Sequence, residues 1–328
     1  MKNNRTFWAK LMIVNLIASV AILNYGCLDA GKERVVVLHA GSLSRPFLLL
    51  AEEYRSSNTG VEILLEPAGS LVTARKITEL GKPCDIMGSA DYQVIDNLLI
   101  PNHASWNIGF AGNEMVIAYR DGARYSDVID KNNWYEILLR DDVGYGRADP
   151  DADPCGYRAI FTLKLAEEFY GVEGITDQIL AKDNRLIRPK GIDLVALIET
   201  GAADYIFEYR SVAVQSGLRY LTLPSEINLG DYSFRSRYQS VGTMVAGSSP
   251  SERIYMPGDV IIYGITVIDD APNRDEAVRF LSFILGERGQ EVFRESGHTI
   301  PEHYPVSGHV SAIPPDILTL LNEETYDY

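Results

Sequence analysis

Positive charge is scarce in this chain of 328 residues: 30 lysines and arginines stand against 45 aspartates and glutamates, for a formal net charge of −15. A surface so acidic repels phosphate backbones, which excludes nucleic acid as a partner. Long apolar runs are also missing. The longest near the N-terminus, residues 11–23, is broken by Asn15 and Ser19, and its thirteen residues fall short of the roughly 20 that a membrane-spanning helix needs. No G-x-S-x-G elbow is present, since Gly41 is followed directly by Ser42, and this argues against an exported hydrolase. The histidine cluster His298, His303 and His309 has no zinc-site spacing and reads as surface or loop residues. No low-complexity linker divides the chain.

What is there begins with an export signal. Residues 1–26 carry Lys2, Arg5 and Lys10, no acidic residue, and then the apolar run. Gly26 precedes Cys27, as in lipoprotein signals whose cysteine becomes the lipidated N-terminus. Asn24 and Tyr25 fit that pattern poorly, and cleavage nearby with Cys27 an ordinary thiol is the competing reading. Removing the signal makes the net charge still more negative. About 300 mature residues exceed what one core usually grows to, so two lobes are expected. With Cys27 lipidated, Cys84 and Cys155 remain as a disulfide or as two buried thiols, and neither count nor spacing decides.

From residue 33 the pattern is strand, turn, helix, repeated. RVVVLH (34–39) is a β-branched run, and Phe47, Leu50, Ala51 and Tyr54 then form one helical face. VEILLEP (61–67) is followed by a helix with Leu71, Ala74, Ile77 and Leu80, closed by Gly81 as a left-handed cap. CDIMGSADY and VIDNLL make a third unit, so an α/β lobe with a largely parallel sheet is expected. NEMVIAY (113–119) is a lone strand, and the middle region repeats the alternation through a helix at 155–170, RLIRP, IDLVALIETG and DYIFEY. VGTMVAG and VIIYGITVI are β-rich runs joined by the polar SSPSER, and a last long helix shows Ala277, Phe280, Leu281 and Ile284 on one face. The chain then crosses between lobes on strands, near 115–120 and near 262–266. This divides it into signal 1–26, tether 27–32, a first lobe of 33–118 plus 264–328, and a second of 119–263.

AGSL occurs twice, at 40–43 and 68–71, each time where a strand hands over to a helix. Helix starts present unpaired backbone N–H groups and partial positive charge, glycine permits close approach, and a hydroxyl can donate. Ser42 and Ser70 are therefore candidate donors to one small anion, with simple N-capping as the alternative for either alone. DADPCGYRA (151–159) opens a helix with Asp153 as N-cap and Pro154 behind it. Asp149, Asp151 and Asp153 have calcium-loop spacing, but Pro154 and Ile160 occupy the positions of its glycine and glutamate, which rejects that site. In FEYRSVAVQ, Glu208 and Tyr209 close a strand and Arg210 and Ser211 open a helix.

Together HAGSLSRPF, EPAGSLVTARKITELGKPCDIMGSADY, NEMVIAY, DPCGYRA and FEYRSVAVQ cover most of residues 35–215. In this order they resemble the archaeal tungstate/molybdate-binding proteins of ABC transporters. The resemblance implies an α/β fold of the periplasmic-binding-protein type (type II), with two lobes joined by crossover strands and a ligand cleft between them. It implies capture of tungstate or molybdate at the extracellular face of the membrane and delivery to a permease driven by an ATPase. An aspartate and a glutamate complete six-coordination of the metal in that family; carried over, these are Asp153 and Glu208, with Ser42 and Ser70 as donors and Tyr209, Cys155 and Gly156 as further contacts. A monomer that is not an enzyme and has no resident cofactor follows. A binding protein for another oxyanion, such as sulfate or phosphate, is the nearest rival.

Overall fold

The computed structural model describes residues 32–182 and 185–321. The expected export signal, Cys27 and all of the expected tether but its last residue lie outside the described residues. Two mixed sheets, each flanked by helices, organise the chain. The first builds up as β1 (Glu33–Ala40), α1 (Ser44–Ser57), β2 (Val61–Ala68), α2 (Ser70–Thr78), β3 (Ile86–Ser89), α3 (Tyr92–Leu98) and β4 (Trp106–Gly112). The apolar face of α1 is buried as its spacing requires, through Phe47, Leu50, Ala51 and Tyr54. Gly81 is left-handed, with φ +56°, as a chain leaving a helix there demands.

β5 (Met115–Tyr119), α4 (Trp134–Leu138), β6 (Tyr145–Ala148), α5 (Pro154–Tyr170), α6 (Ile175–Lys182), β7 (Ile187–Arg188), α7 (Val195–Glu199), β8 (Tyr205–Tyr209), α8 (Arg210–Gln215) and β9 (Arg219–Thr222) follow. α9 (Arg235–Tyr238) leads into the hairpin β10 (Gly242–Ala246) and β11 (Arg253–Pro257). β12 (Ile262–Val267), α10 (Arg274–Leu285), α11 (Glu287–Glu295), β13 (Val306–Gly308) and α12 (Pro315–Leu318) complete the fold.

The six-stranded sheet runs β13-β4-β12-β3-β1-β2 and the five-stranded sheet β7-β6-β8-β5-β9. β2, β1 and β3 are parallel, but β12 lies antiparallel to β3 and β4, and β13 antiparallel to β4. The expected largely parallel sheet is thus parallel only on one side, because β12 enters it from the other lobe, against the direction of its neighbours. In the second sheet β6 is parallel to β7 and β8, whereas β5 is antiparallel to β8 and β9. SSPSER does not lead into VIIYGITVI; it closes the hairpin, and the intervening RIYMP is β11.

Sheet membership changes between β4 and β5, at Asn113 and Glu114, and again between β11 and β12, at residues 258–261. Lobe boundaries at 118/119 and 263/264 therefore fall inside strands. A β-run is visible in local periodicity, but the sheet it joins is decided by distant partners. The two crossings touch, the Asn113 amide donating to the Ile261 carbonyl at 3.2 Å.

Candidate functional site

Both AGSL turns stand at the C-terminal ends of neighbouring parallel strands, where open α/β sheets place ligands. Neither serine is an N-cap. Ser42 lies inside a single 3-10 turn, Gly41–Leu43, ahead of α1, and Ser70 is the first residue of α2, whose N-cap is Gly69. Their hydroxyls look elsewhere. Ser70 Oγ accepts from the Ala90 amide at 2.9 Å, and Ser42 Oγ accepts from the Tyr263 hydroxyl at 3.0 Å. Each oxygen receives a hydrogen bond, which leaves each serine its own proton to give away.

The second lobe presents the carboxylates. Asp153 caps α5, accepting from the Cys155 amide at 2.9 Å, and is buried. Burial pushes its carboxyl up to about 6, against the opposing pull of hydrogen bonds from the Cys155 and Gly191 backbone. Glu208, the penultimate residue of β8, is fully buried. Its Oε2 accepts from the Cys155 thiol at 2.8 Å, while Oε1 has no hydrogen-bond partner. Burial raises its carboxyl to about 8, and the nearby Asp153 charge pushes the same way. Gly191 makes room for it, since a Cβ there would come within 2.6 Å of the Glu208 carboxylate.

The lobes meet across this arrangement. A Cβ on Gly69 would strike the Ala152 carbonyl and lie 3.2 Å from the Asp153 side chain, and one on Gly41 would come within 2.8 Å of Ile192. The turns carrying the serines therefore face the segments carrying Asp153 and Gly191. Arg158, buried on α5, spans the same seam: it pairs with Asp91 at 3.2 Å and donates to the Ala90 carbonyl at 2.5 Å and to the Tyr209 hydroxyl at 3.0 Å. Tyr157 adds a bond to Asp91 at 2.6 Å. The structure thus brings Ser42, Ser70, Asp153, Glu208, Cys155 and Tyr209 into one interlobe region. Gly156 is accounted for differently: a Cβ there would meet the Ala148 carbonyl and Asp149 backbone at 2.6 and 2.5 Å, so it serves packing within the second lobe.

Arg158, Asp91, Tyr263 and Asn113 were not singled out by sequence reasoning. Arg158 carried a signal, being a cation on the apolar face of a helix in the DPCGYRA phrase. The others are joined to the site only by the fold. One expectation is corrected: His298 is not a surface residue but is buried edge-on against Tyr263 and Phe293, and burial lowers it to about 3. A histidine seen only as part of a polar tail gives no local sign of the aromatic cage that closes over it. Cys84 and Cys155 are free buried thiols. Among the described residues no helix is long and apolar enough to cross a membrane, and no group of three or more His, Cys, Asp or Glu could hold a metal ion.

The profile of the bacterial extracellular solute-binding protein family matches residues 35–299. The chain is 45% identical over 266 residues to an uncharacterized solute-binding protein of Petrotoga mobilis, covering 80% of this chain and 82% of that one. It is 43% identical over 316 residues to the molybdate/tungstate-binding protein WtpA of Pyrococcus abyssi, covering 85% and 91% of the two. Among solved structures, the periplasmic molybdate-binding protein of Azotobacter vinelandii superposes with a TM-score of 0.62 at 15% identity, over 82% of this chain and all of that one. The sulfate-binding protein SubI of Mycobacterium tuberculosis also gives 0.62, at 13% identity, over 82% and 88%. The fold alone therefore does not select among oxyanions.

Proposed function

Because this chain belongs to the bacterial extracellular solute-binding protein family, we propose that it captures molybdate and tungstate outside the cell and delivers them to an ABC transporter. Relatives named for molybdate and tungstate binding, such as those of Pyrococcus abyssi and Thermococcus kodakarensis, support the choice of ligand. The observation that carries the mechanism is Glu208, a fully buried carboxylate beside a second one, with one oxygen unpartnered.

Such a pair is a poor host for a simple oxyanion. Two unit charges 4 Å apart interact by about 4 kcal/mol at an effective dielectric of 20, so a dianion beside two ionised carboxylates costs several kcal/mol, and Glu208, raised to about 8, must also release its proton before its oxygens can bond to a metal. Charge-assisted hydrogen bonds at about 1.5 to 3 kcal/mol each from the serines and the helix start offset this, but with little to spare. The sum changes if carboxylate oxygens bond directly to the central atom. Tungsten(VI) and molybdenum(VI) expand their coordination; sulfur in sulfate and phosphorus in phosphate do not readily do so. In this reading Asp153 and Glu208 complete six-coordination of the metal, Ser42 and Ser70 donate to its oxygens, and Tyr209 and the backbone at Cys155 supply further contacts. The same carboxylates attract the right anion and repel the wrong ones.

The protein acts as a monomer, without resident cofactor or catalysis, anchored through lipidated Cys27 and read by a permease and its ATPase. Calorimetry of the mature protein tests the core of this. Nanomolar affinity for tungstate and molybdate, about −12 kcal/mol, is expected, with sulfate and phosphate at least a thousandfold weaker. Asp153→Ala and Glu208→Ala should each lose tungstate affinity by two orders of magnitude or more. Sulfate binding as tight as tungstate binding would overturn the coordination mechanism.

A further inference from the structure

Tyr263 and Asn113 sit on or beside the two crossings between the lobes, and their side chains form a chain of hydrogen bonds in which the orientation of the Asn113 amide is fixed. The Asn113 Oδ1 faces two backbone amides, Glu114 at 3.0 Å and Ser211 at 3.3 Å. An amide N–H can only donate, so this end of the side chain is the oxygen and the other the NH2 group. That NH2 group donates to Ser211 Oγ at 2.7 Å and to the Tyr263 hydroxyl oxygen at 3.1 Å. The Tyr263 hydroxyl, whose oxygen receives from Asn113, donates to Ser42 Oγ at 3.0 Å. Ser42 then has one proton left, and it points away from Tyr263.

Every member of the chain is buried: Asn113, Ser211, Tyr263 and Ser42 are all 5% exposed or less. Water is therefore not free to scramble the pattern. The Tyr263 ring is held on three sides, edge-on against Phe110, Tyr209 and His298. The register of β12 against β4 shifts between Tyr263 and Gly264, the kind of irregularity that re-aims a side chain. Ser70 receives the equivalent bond from a backbone amide, that of Ala90. In Ser42 the same task falls to a side chain from the crossing.

We propose that Tyr263 is a positioning residue for oxyanion capture: oriented by Asn113, its hydroxyl commits the proton of Ser42 to the bound anion and couples the interlobe crossing to the site. This rests on the molybdate/tungstate reading above. Tungstate affinity measured calorimetrically for wild type, Tyr263→Phe, Ser42→Ala and the double variant forms a cycle that tests it. Tyr263→Phe keeps the ring and its packing and should bind about tenfold more weakly than wild type; in the Ser42→Ala background the same change should cost less than twofold. Asn113→Asp supplies a second, independent arm. It replaces the donor facing Tyr263 by an acceptor, draws the tyrosine proton away from Ser42, and should weaken wild type but not Ser42→Ala. A Tyr263→Phe affinity within twofold of wild type, or a loss undiminished without the Ser42 hydroxyl, overturns the proposal while leaving the ligand assignment intact. Absence of tungstate binding by wild type itself overturns both.

Discussion

Two carboxyls are kept in a place that disfavours their charge, and Glu208 is the clearer case. Its folded value of about 8 lies above the ordinary 4.5, mainly through burial. Between those values the folded protein holds a proton that the unfolded chain has released, so the ligand-free protein loses stability as pH rises from about 4.5 to 8. Glu208→Gln removes this dependence. Ligand-free thermal unfolding of the variant against wild type should diverge in that window, the variant gaining on the order of a few kcal/mol by pH 8, while tungstate binding is lost. Equal pH profiles would mean that Glu208 is not buried as an acid in the empty protein. At this scale the sequence was legible where the residue's job is local: Asp153 is the N-cap that its position before Pro154 implied. Ser42 and Ser70 are picked out by a repeated turn, but the hydrogen bonds their oxygens accept come from Tyr263 and Ala90, which lie 221 and 20 positions away. No spacing rule reaches that far.

Secondary-structure elements show a similar division. Alternation of strand and helix, the faces of α1 and α10 and the left-handed Gly81 follow from periodicity and backbone sterics, and all were readable. The short β11 and the sheet to which β5 belongs were not, because each is defined by a partner strand. Two glycines make the distinction testable. Gly69 has φ −65° and ψ 144°, open to any residue, and its constraint comes from the other lobe, at Ala152 and Asp153. Gly156 is constrained within its own lobe, by Ala148 and Asp149. Gly69→Ala should therefore leave ligand-free stability within about 0.5 kcal/mol of wild type yet weaken tungstate binding at least tenfold, because the lobes cannot close fully. Gly156→Ala should cost about 1 to 3 kcal/mol of folding stability from overpacking. Chemical denaturation and calorimetry on both variants separate the cases; a stability loss in Gly69→Ala equal to that in Gly156→Ala would remove the interlobe explanation.

For the whole molecule the question is what holds the lobes together, and the buried pair of Arg158 and Asp91 is the strongest candidate. Both side chains are 3% exposed, at 3.2 Å from each other, and they come from α5 in one lobe and the start of α3 in the other. When the lobes part, water replaces each partner; when they close, both charges must be paired. Asp91→Asn keeps the shape and the capping ability of residue 91, which accepts from the Gln93 amide at 3.0 Å, but leaves Arg158 buried without its counter-charge. Breaking a buried pair from one side costs about 3 to 5 kcal/mol, and here that penalty falls on the closed state only. The open form should therefore gain population, and the apparent affinity should fall by the fraction of molecules still able to close. Small-angle scattering should give a larger radius of gyration for ligand-free Asp91→Asn than for wild type, and the same radius for the two when saturated with tungstate, with affinity reduced at least tenfold. An unchanged ligand-free radius together with an unchanged affinity would mean that closure is driven by the anion and the carboxylates alone, with Arg158 merely filling space between the lobes.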